Sequence, residues 1–416
     1  METSKHQCDI KIYKDVVNKI ENSRRFGNDY GVTITKKVLE KLSNPQKNLK
    51  FIHIAGTNGK GSTASVVSNI LMESGLKVGL FTSPHLIEFE ERIRINGKYI
   101  SKEDVARLGK LLIDTDFQVG LTMFDYCLVM AILYFKEQQV DVAVIETGLG
   151  GTYDSTNAIG TPLVCGITKI GYDHMQILGN TLAEIASSKA GIFKEDTSVV
   201  SQMQESEALE VLKTAAKEKK VKEFDIVNKV DIEEIKNYKR TMIGEYQLEN
   251  IATAKKICQK VFERIDFPAK DNIKIDNAIK RGIANATWEG RMEILQKEPF
   301  FMIDGAHNSN GVEALCDSLR NLYPGEKFHF IMGVLADKDY EEMVKLLAPL
   351  AIDFKTITPD SSRALQNENL KNYINELGIN ACTLNEIRDI KKNLLDDAKN
   401  IALGSLYFIG DIKKLW

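Results

Sequence analysis

The run Phe51-Ile52-His53-Ile54-Ala55 passes directly into Gly56-Thr57-Asn58-Gly59-Lys60-Gly61-Ser62, and from Lys60 to Glu73 the apolar residues recur at helical spacing. A β-branched apolar run, a glycine-rich turn and a helix, in that order, open a parallel α/β sheet, and few other folds accommodate them. The same grammar continues down the chain. Strands are predicted at Val78–Phe81, 140–145, 163–167 and Ser198–Ser201, and helices over 105–114, 123–136, 182–189 with Asn180 as N-cap, 209–219 and 247–264. A second alternation begins near Phe300: strands at Phe300–Ile303, 328–334 and 354–358, helices over 311–322, Tyr340–Leu347 and beyond Glu368, and a final strand over 405–409. The fold class expected is α/β, with an N-terminal domain of the P-loop ATPase type built on a mostly parallel sheet and a smaller C-terminal Rossmann-like α/β domain.

Length and composition narrow the function. At 416 residues the chain holds two or three domains at about 150 residues each. The polar, proline-containing stretch Gln296-Lys297-Glu298-Pro299 separates two strand-like runs, which puts the boundary there and gives domains over 1–297 and 298–416. A net charge of −3 with 43% hydrophobic and 27% charged residues excludes a disordered chain and lacks the basic footprint of a duplex nucleic-acid binder. The longest apolar run, Cys127 to Phe135, is far short of the roughly 18 residues of a membrane span. A cytoplasmic protein acting on small molecules, with no nucleic-acid or membrane partner, is expected. The cysteines Cys8, Cys127, Cys165, Cys258, Cys316 and Cys382 contain no C-x-x-C pair, so they read as reduced core residues.

The glycine-rich loop carries the first chemistry. Glycines let successive N–H groups converge on a phosphate, the helix N-terminus adds a favourable dipole, and Lys60 reaches the β/γ-phosphates. The strict Walker spacing is not met, because Ile54 occupies its first glycine position and Gly61 follows the lysine. Gly56, Thr57, Asn58, Gly59, Lys60, Gly61 and Ser62 are therefore assigned to a nucleotide phosphate. Further on, Asn228-Lys229-Val230-Asp231 reproduces the N-K-x-D by which switch GTPases hold guanine. No aspartate between Lys60 and Asn228 has a glycine three residues later, so the γ-phosphate partner of such a switch is missing, and the segment reads as a solvated turn after a strand.

Three more clusters stand at the C-terminal ends of predicted strands, where open α/β sheets place ligands: Thr82-Ser83-Pro84-His85, Glu146-Thr147-Gly148-Leu149-Gly150-Gly151 and Gly171-Tyr172-Asp173-His174. Together with Asp154 to Asn157, Ser188-Lys189-Ala190-Gly191, Gly290-Arg291-Met292-Glu293 and Asp304-Gly305-Ala306-His307-Asn308, they resemble the folylpolyglutamate synthase and dihydrofolate synthase branch of the Mur ligase superfamily. The motifs span nearly the whole chain in the family's order.

The resemblance implies amide-bond synthesis driven by ATP with Mg²⁺: a substrate carboxylate attacks the γ-phosphate, an acyl phosphate forms, and the amine of L-glutamate displaces phosphate. Charges of one sign are brought together in that step, which calls for a cation, a lysine and fixed amides. By resemblance Ser83 and Glu146 ligate the magnesium on the ATP phosphates, Glu146 and His174 serve a second metal site, and Lys189 is carbamylated by CO₂. Lys60, Glu146, His174 and Lys189 are thus the catalytic candidates. Asn250, Arg291, Asp304 and His307 are placed on ATP, and division of that site between two domains implies closure that excludes water. For the pterin and the acceptor side the matching residues are Phe26, Gly27, His85, Phe124 and Asp154. Two positions depart from the family pattern: Thr152 where many relatives carry arginine, and Ile34 near another such arginine. His329 and His6 match nothing, and His53 on the first strand reads as structural.

The implied enzyme is a monomeric ATP-dependent ligase that adds L-glutamate to a folate, with dihydropteroate open as a second acceptor. Two rivals remain at this point. One is a Mur-type ligase with another acceptor, against which stands the shortness of the chain before Gly56. The other is a non-catalytic nucleotide switch, which would have no use for the Glu146, His174 and Asp304 set.

Overall fold

The computed structural model describes residues 2–23, 31–267 and 271–416. The chain divides into two compact units, one of residues 1–241 and 249–286, the other of residues 242–248 and 287–416.

The first unit is built on strands β1 (Phe51–Ala55), β2 (Val78–Phe81), β3 (Ile93–Ile95), β4 (Lys98–Tyr99), β5 (Val142–Glu146), β6 (Val164–Ile167), β7 (Ser198–Ser201) and β8 (Glu223–Ile226). Their order across the sheet is β4-β3-β2-β5-β1-β6-β7-β8. From β2 to β8 all pairs are parallel, and β3 and β4 add an antiparallel edge. β1, β2, β5, β6 and β7 are buried along their whole length, as expected of strands covered on both faces. The helices Met123–Glu137 and Lys102–Asp114 cover one side, with Phe81, Ile93, Leu108, Leu128, Ile132 and Phe135 in the core between them and the sheet. Chain reversal from β1 to β2 on one side and β6 to β7 on the other puts the switch point beside β1. The C-terminal ends of β2, β5, β1 and β6 therefore stand side by side at the place where such sheets bind ligands.

The second unit has β9 (Glu293–Lys297), β10 (Phe300–Ile303), β11 (Phe328–Met332), β12 (Ala351–Thr356), β13 (Ala381–Thr383) and β14 (Lys399–Leu403), in the order β13-β12-β11-β14-β10-β9. All pairs are parallel except β9 with β10.

Four sequence expectations are corrected. The stretch Gln296–Pro299, expected as the boundary, is the end of β9 and the Glu298-Pro299 turn of the β9–β10 hairpin, so the break in polarity falls inside a sheet, and the compact units part at residues 286 and 287. The strand expected at 405–409 is the helix Leu406–Lys413. Its buried Phe408, Ile409 and Ile412 follow a helical period, and the last strand is β14, disguised by Lys399 and Asn400 at its start. The N-cap of the helix Leu182–Ala190 is Thr181, not Asn180, because Thr181 and Glu184 close a capping box. Asn228, expected in a solvated turn, caps the helix Lys229–Lys236. Its Oδ1 accepts from the amides of Val230 and Asp231 at 2.8 and 3.1 Å, and Asp231 returns the bond to the Asn228 amide at 2.9 Å. The N-K-x-D pattern is a capping box.

Candidate functional site

The phosphate loop leaves β1 at Ala55 and enters the helix Lys60–Glu73 at Gly59. Gly59 is left-handed, with φ of 87°, and a Cβ there would fall 2.3 Å from Asn250 Oδ1, so the position admits only glycine. That puts Asn250, assigned to ATP, against the loop, where its Oδ1 also accepts from Gln202 Nε2 at 2.8 Å. The amides of Thr57 and Asn58 donate to the carbonyl of Lys169 at 2.9 and 3.2 Å, and the Thr57 hydroxyl exchanges bonds with Gly171. The loop after β6 thus braces the loop after β1. Ser62 is buried in the first helical turn. Lys60 folds back over its own loop, donating to the carbonyls of Gly56 and Thr57, each at 3.2 Å.

Lys189 approaches the same loop from the helix Leu182–Ala190. It is 3% exposed and donates to Gly56 O at 2.8 Å. Burial, followed by the nearby Lys60 charge, brings its amine down to about 7, against a smaller opposing effect of Asp173 and Asp154. Its backbone is held by Thr152, whose amide and hydroxyl both donate to Ser188 O at 2.8 and 3.0 Å. The residue that departs from the family pattern thus fixes the segment carrying Lys189. Ile34, the other departure, is buried among core residues.

Glu146 ends β5 beside Ile54 of β1 and is 3% exposed. It accepts the amide of Ser83 at 3.1 Å, which brings together the two residues assigned to the magnesium. The adjacent Thr147 hydroxyl is buried without a hydrogen-bond partner among the described residues. Hydroxyl and carboxylate oxygens on two neighbouring strand ends are the donor set that a hard divalent cation takes. His174 stands apart from this pair in character: it is exposed, left-handed at φ of 50°, and its ring lies 3.9 Å from Asp173. Among the described residues no three His, Cys, Asp or Glu side chains are grouped to hold a metal.

The acceptor-side residues divide. Phe26 and Gly27 lie outside the described residues. Phe124 is half-buried at the start of the helix Met123–Glu137, edge-on to Phe81 with centroids 5.5 Å apart, and its ring fills the space beside Gly148. His85 accepts at Nδ1 from Arg92 Nε at 2.8 Å, and its Nε2 lies 3.9 Å from Glu21. Asp154 is spent inside its own loop, accepting from Leu149 N at 2.8 Å, Thr156 N at 3.0 Å and Thr156 Oγ1 at 2.5 Å. Thr156 Oγ1 in turn lies 2.7 Å from His53 Nε2, so the buried His53 is structural, with its basicity pushed down to about 3, chiefly by burial. Asp125, next to Phe124, also organises this region, accepting from Thr35, Ser155 and Thr122.

In the second unit the assigned residues gather around β10. Asp304 is 2% exposed and accepts from Ala306 N at 2.7 Å, Met292 N at 2.8 Å and Tyr246 Oη at 3.0 Å. Burial raises its pKa, and Arg291 is the largest influence opposing that. A Cβ on Gly305 would fall 2.5 Å from Arg291 Nη1, so the guanidinium lies across this glycine. His307 Nδ1 meets Gly305 O at 2.8 Å, and Asn308 caps the helix Ser309–Leu322. Gln202, Lys169, Thr168, whose side chain packs against Gly56 of the loop, and Tyr246 belong to no motif read from the sequence. The first three could have been found as residues just past the ends of β6 and β7, whereas Tyr246 gave no signal beyond its place in a helix.

A phosphate loop at a sheet switch point, flanked by Ser83 on a buried Glu146 and by a buried lysine, and followed by a smaller α/β unit, is the arrangement of an ATP-dependent ligase of the Mur type. Residues 54–273 match the Mur ligase middle domain and residues 290–403 the Mur ligase glutamate ligase domain. The chain is 33% identical to a dihydrofolate synthase/folylpolyglutamate synthase of Bacillus subtilis, with 97% of this chain and 98% of that one covered. It is 32% identical to a folylpolyglutamate synthase of Lacticaseibacillus casei over 91% and 92% of the two chains. A solved folylpolyglutamate synthase of Mycobacterium tuberculosis, complexed with ADP, superposes with a TM-score of 0.87 at 29% identity over 98% of both chains. The chain belongs to the folylpolyglutamate and dihydrofolate synthase branch of the Mur ligase family.

Proposed function

We propose that this chain joins L-glutamate to a folate at the expense of ATP, in the cytoplasm and as a monomer. The observation that carries the chemistry is Lys189: an amine buried against the phosphate loop and near neutrality at about 7 has no use in a nucleotide switch. It is the state in which a lysine nitrogen adds to CO₂, forming an N–C bond and releasing a proton, and the carbamate so formed is an anion beside the phosphates.

In the reaction the folate carboxylate oxygen attacks the γ-phosphorus, ADP leaves, and the glutamate amine displaces inorganic phosphate from the acyl phosphate. Lys60 supplies positive charge where it accumulates, and the braced loop amides hold the line of attack. Ser83 and Glu146 would hold Mg²⁺, which screens the phosphate charges when bound. Asn250 and Arg291 would serve the adenine and phosphate side of ATP, and Asp304 and His307 the ribose or γ-phosphate. Phe124 and His85 face the acceptor, with Asp154 acting through the loop it shapes.

The decisive experiment is phosphate release with ATP, Mg²⁺ and L-glutamate, in parallel with a reduced folate, with dihydropteroate and with neither, the products being weighed by mass spectrometry. Glutamate added to the folate alone gives a folylpolyglutamate synthase, and addition to both acceptors a bifunctional enzyme. ATP binding without product from either acceptor would overturn the folate assignment, and ADP formation independent of any acceptor would favour a nucleotide hydrolase.

A further inference from the structure

Residues 242–248 belong to the second unit although the chain on either side of them belongs to the first. This excursion is firmly seated: Met242, Gln247 and Leu248 are buried, and the amide of Glu245 donates to Ser318 Oγ at 3.0 Å. Tyr246, in the first turn of the helix Glu245–Arg264, sends its hydroxyl to Asp304 Oδ2 at 3.0 Å. The other donors to Asp304 are main-chain amides, those of Met292 and Ala306. Met292 is held at a φ of 46°, a conformation unfavourable for a side chain with a Cβ, and its amide meets the same oxygen as the phenol. Among the described residues Tyr246 is thus the one side-chain hydrogen-bond donor to a carboxylate whose amide partners flank Arg291 and Gly305.

From this arrangement we infer that Tyr246 is a positioning residue of the ligase reaction, which fixes the orientation and the ionised state of Asp304 and, through that charge, the guanidinium of Arg291. The inference rests on the reading that Asp304 and Arg291 serve ATP. A buried carboxylate is disfavoured in its charged form, and each donor opposes protonation. Loss of the phenol leaves Oδ2 with a single amide, eases protonation of Asp304 and deprives Arg291 of its counter-charge at a higher pH than before.

The test follows kcat/KM for ATP against pH in Tyr246→Phe, Asp304→Asn and the double variant, with a reduced folate and L-glutamate present. Tyr246→Phe keeps the ring and should lose about tenfold in kcat/KM near neutrality, the share of one hydrogen bond to a charged group. Its acid limb should move up by about one pH unit. A fluorinated tyrosine at the same position, a stronger donor, should move the limb the other way, which mere packing cannot do. In the Asp304→Asn background the Tyr246→Phe change should add nothing further. An unshifted acid limb in Tyr246→Phe, or losses that multiply in the double variant, would overturn the inference. Wild-type kinetics in Asp304→Asn would instead remove the nucleotide role of Asp304, and the role of Tyr246 with it.

Discussion

Lys60 and Lys189 converge on one acceptor, the carbonyl oxygen of Gly56, at 3.2 and 2.8 Å. Two amines at a single oxygen repel each other if both are charged, and the buried one yields. Burial first, and the Lys60 charge second, press Lys189 towards the neutral amine at the phosphate loop.

Replacing Lys60 or Glu146 with alanine should abolish turnover while leaving the fold intact. A loss of at least about 10²–10³ in kcat is expected from removing a group that stabilises transition-state charge. Phosphate release together with circular dichroism checks it, and near-wild-type rates in either variant would remove the phosphate and metal assignments.

Lys189 should leave a mark on stability as well as on rate. Between its depressed value of about 7 and the ordinary 10.5, the unfolded chain binds a proton that the folded chain refuses. Stability contributed by this residue is therefore complete above the ordinary value and is lost as pH falls towards the depressed one. Wild type should gain on Lys189→Met in urea denaturation as pH rises through that window. In ¹³CO₂-equilibrated buffer, a carbamate carbon resonance is expected in wild type and not in Lys189→Arg, and activity should fall on removal of CO₂.

The chain His53–Thr156–Asp154 is a buried relay of hydrogen bonds under the loop that follows β5. Thr156→Val should cost about 1–3 kcal/mol, since it strands polar atoms on both sides. His53, held near 3 against an ordinary 6.5, refuses a proton that the unfolded chain accepts between those values, so its contribution is lost as pH falls through that range. His53→Gln should flatten the acid side of the stability profile, measured by thermal melting.

Asn228→Ala should lower stability by about 1 kcal/mol, the ordinary worth of an N-cap, and leave the choice between ATP and GTP unchanged. A shift in nucleotide preference in that variant would restore a guanine-binding role to the segment.

How much of this was legible beforehand depended on whether neighbours along the chain decide the matter. Phe51–Ala55, Lys60–Glu73 and Val78–Phe81 emerge as expected because apolar runs and glycine punctuation are local signals. Residues 405–409 were misread because five residues are too few to tell a helical period from a buried strand. The site was legible as motifs, yet its wiring was not. Nothing in Asp-x-Thr-Asn says that Asp154 is engaged by its own loop, and nothing near Tyr246 says that its phenol ends on a carboxylate 58 residues away.

The chain passes between the two compact units three times, after residues 241, 248 and 286. Recombination between relatives is constrained accordingly. A crossover at residue 287 would bring an inherited Asp304 loop together with a Tyr246 from a different lineage, so the seven residues 242–248 and the C-terminal unit should be inherited as a block, although 38 residues separate them in the chain.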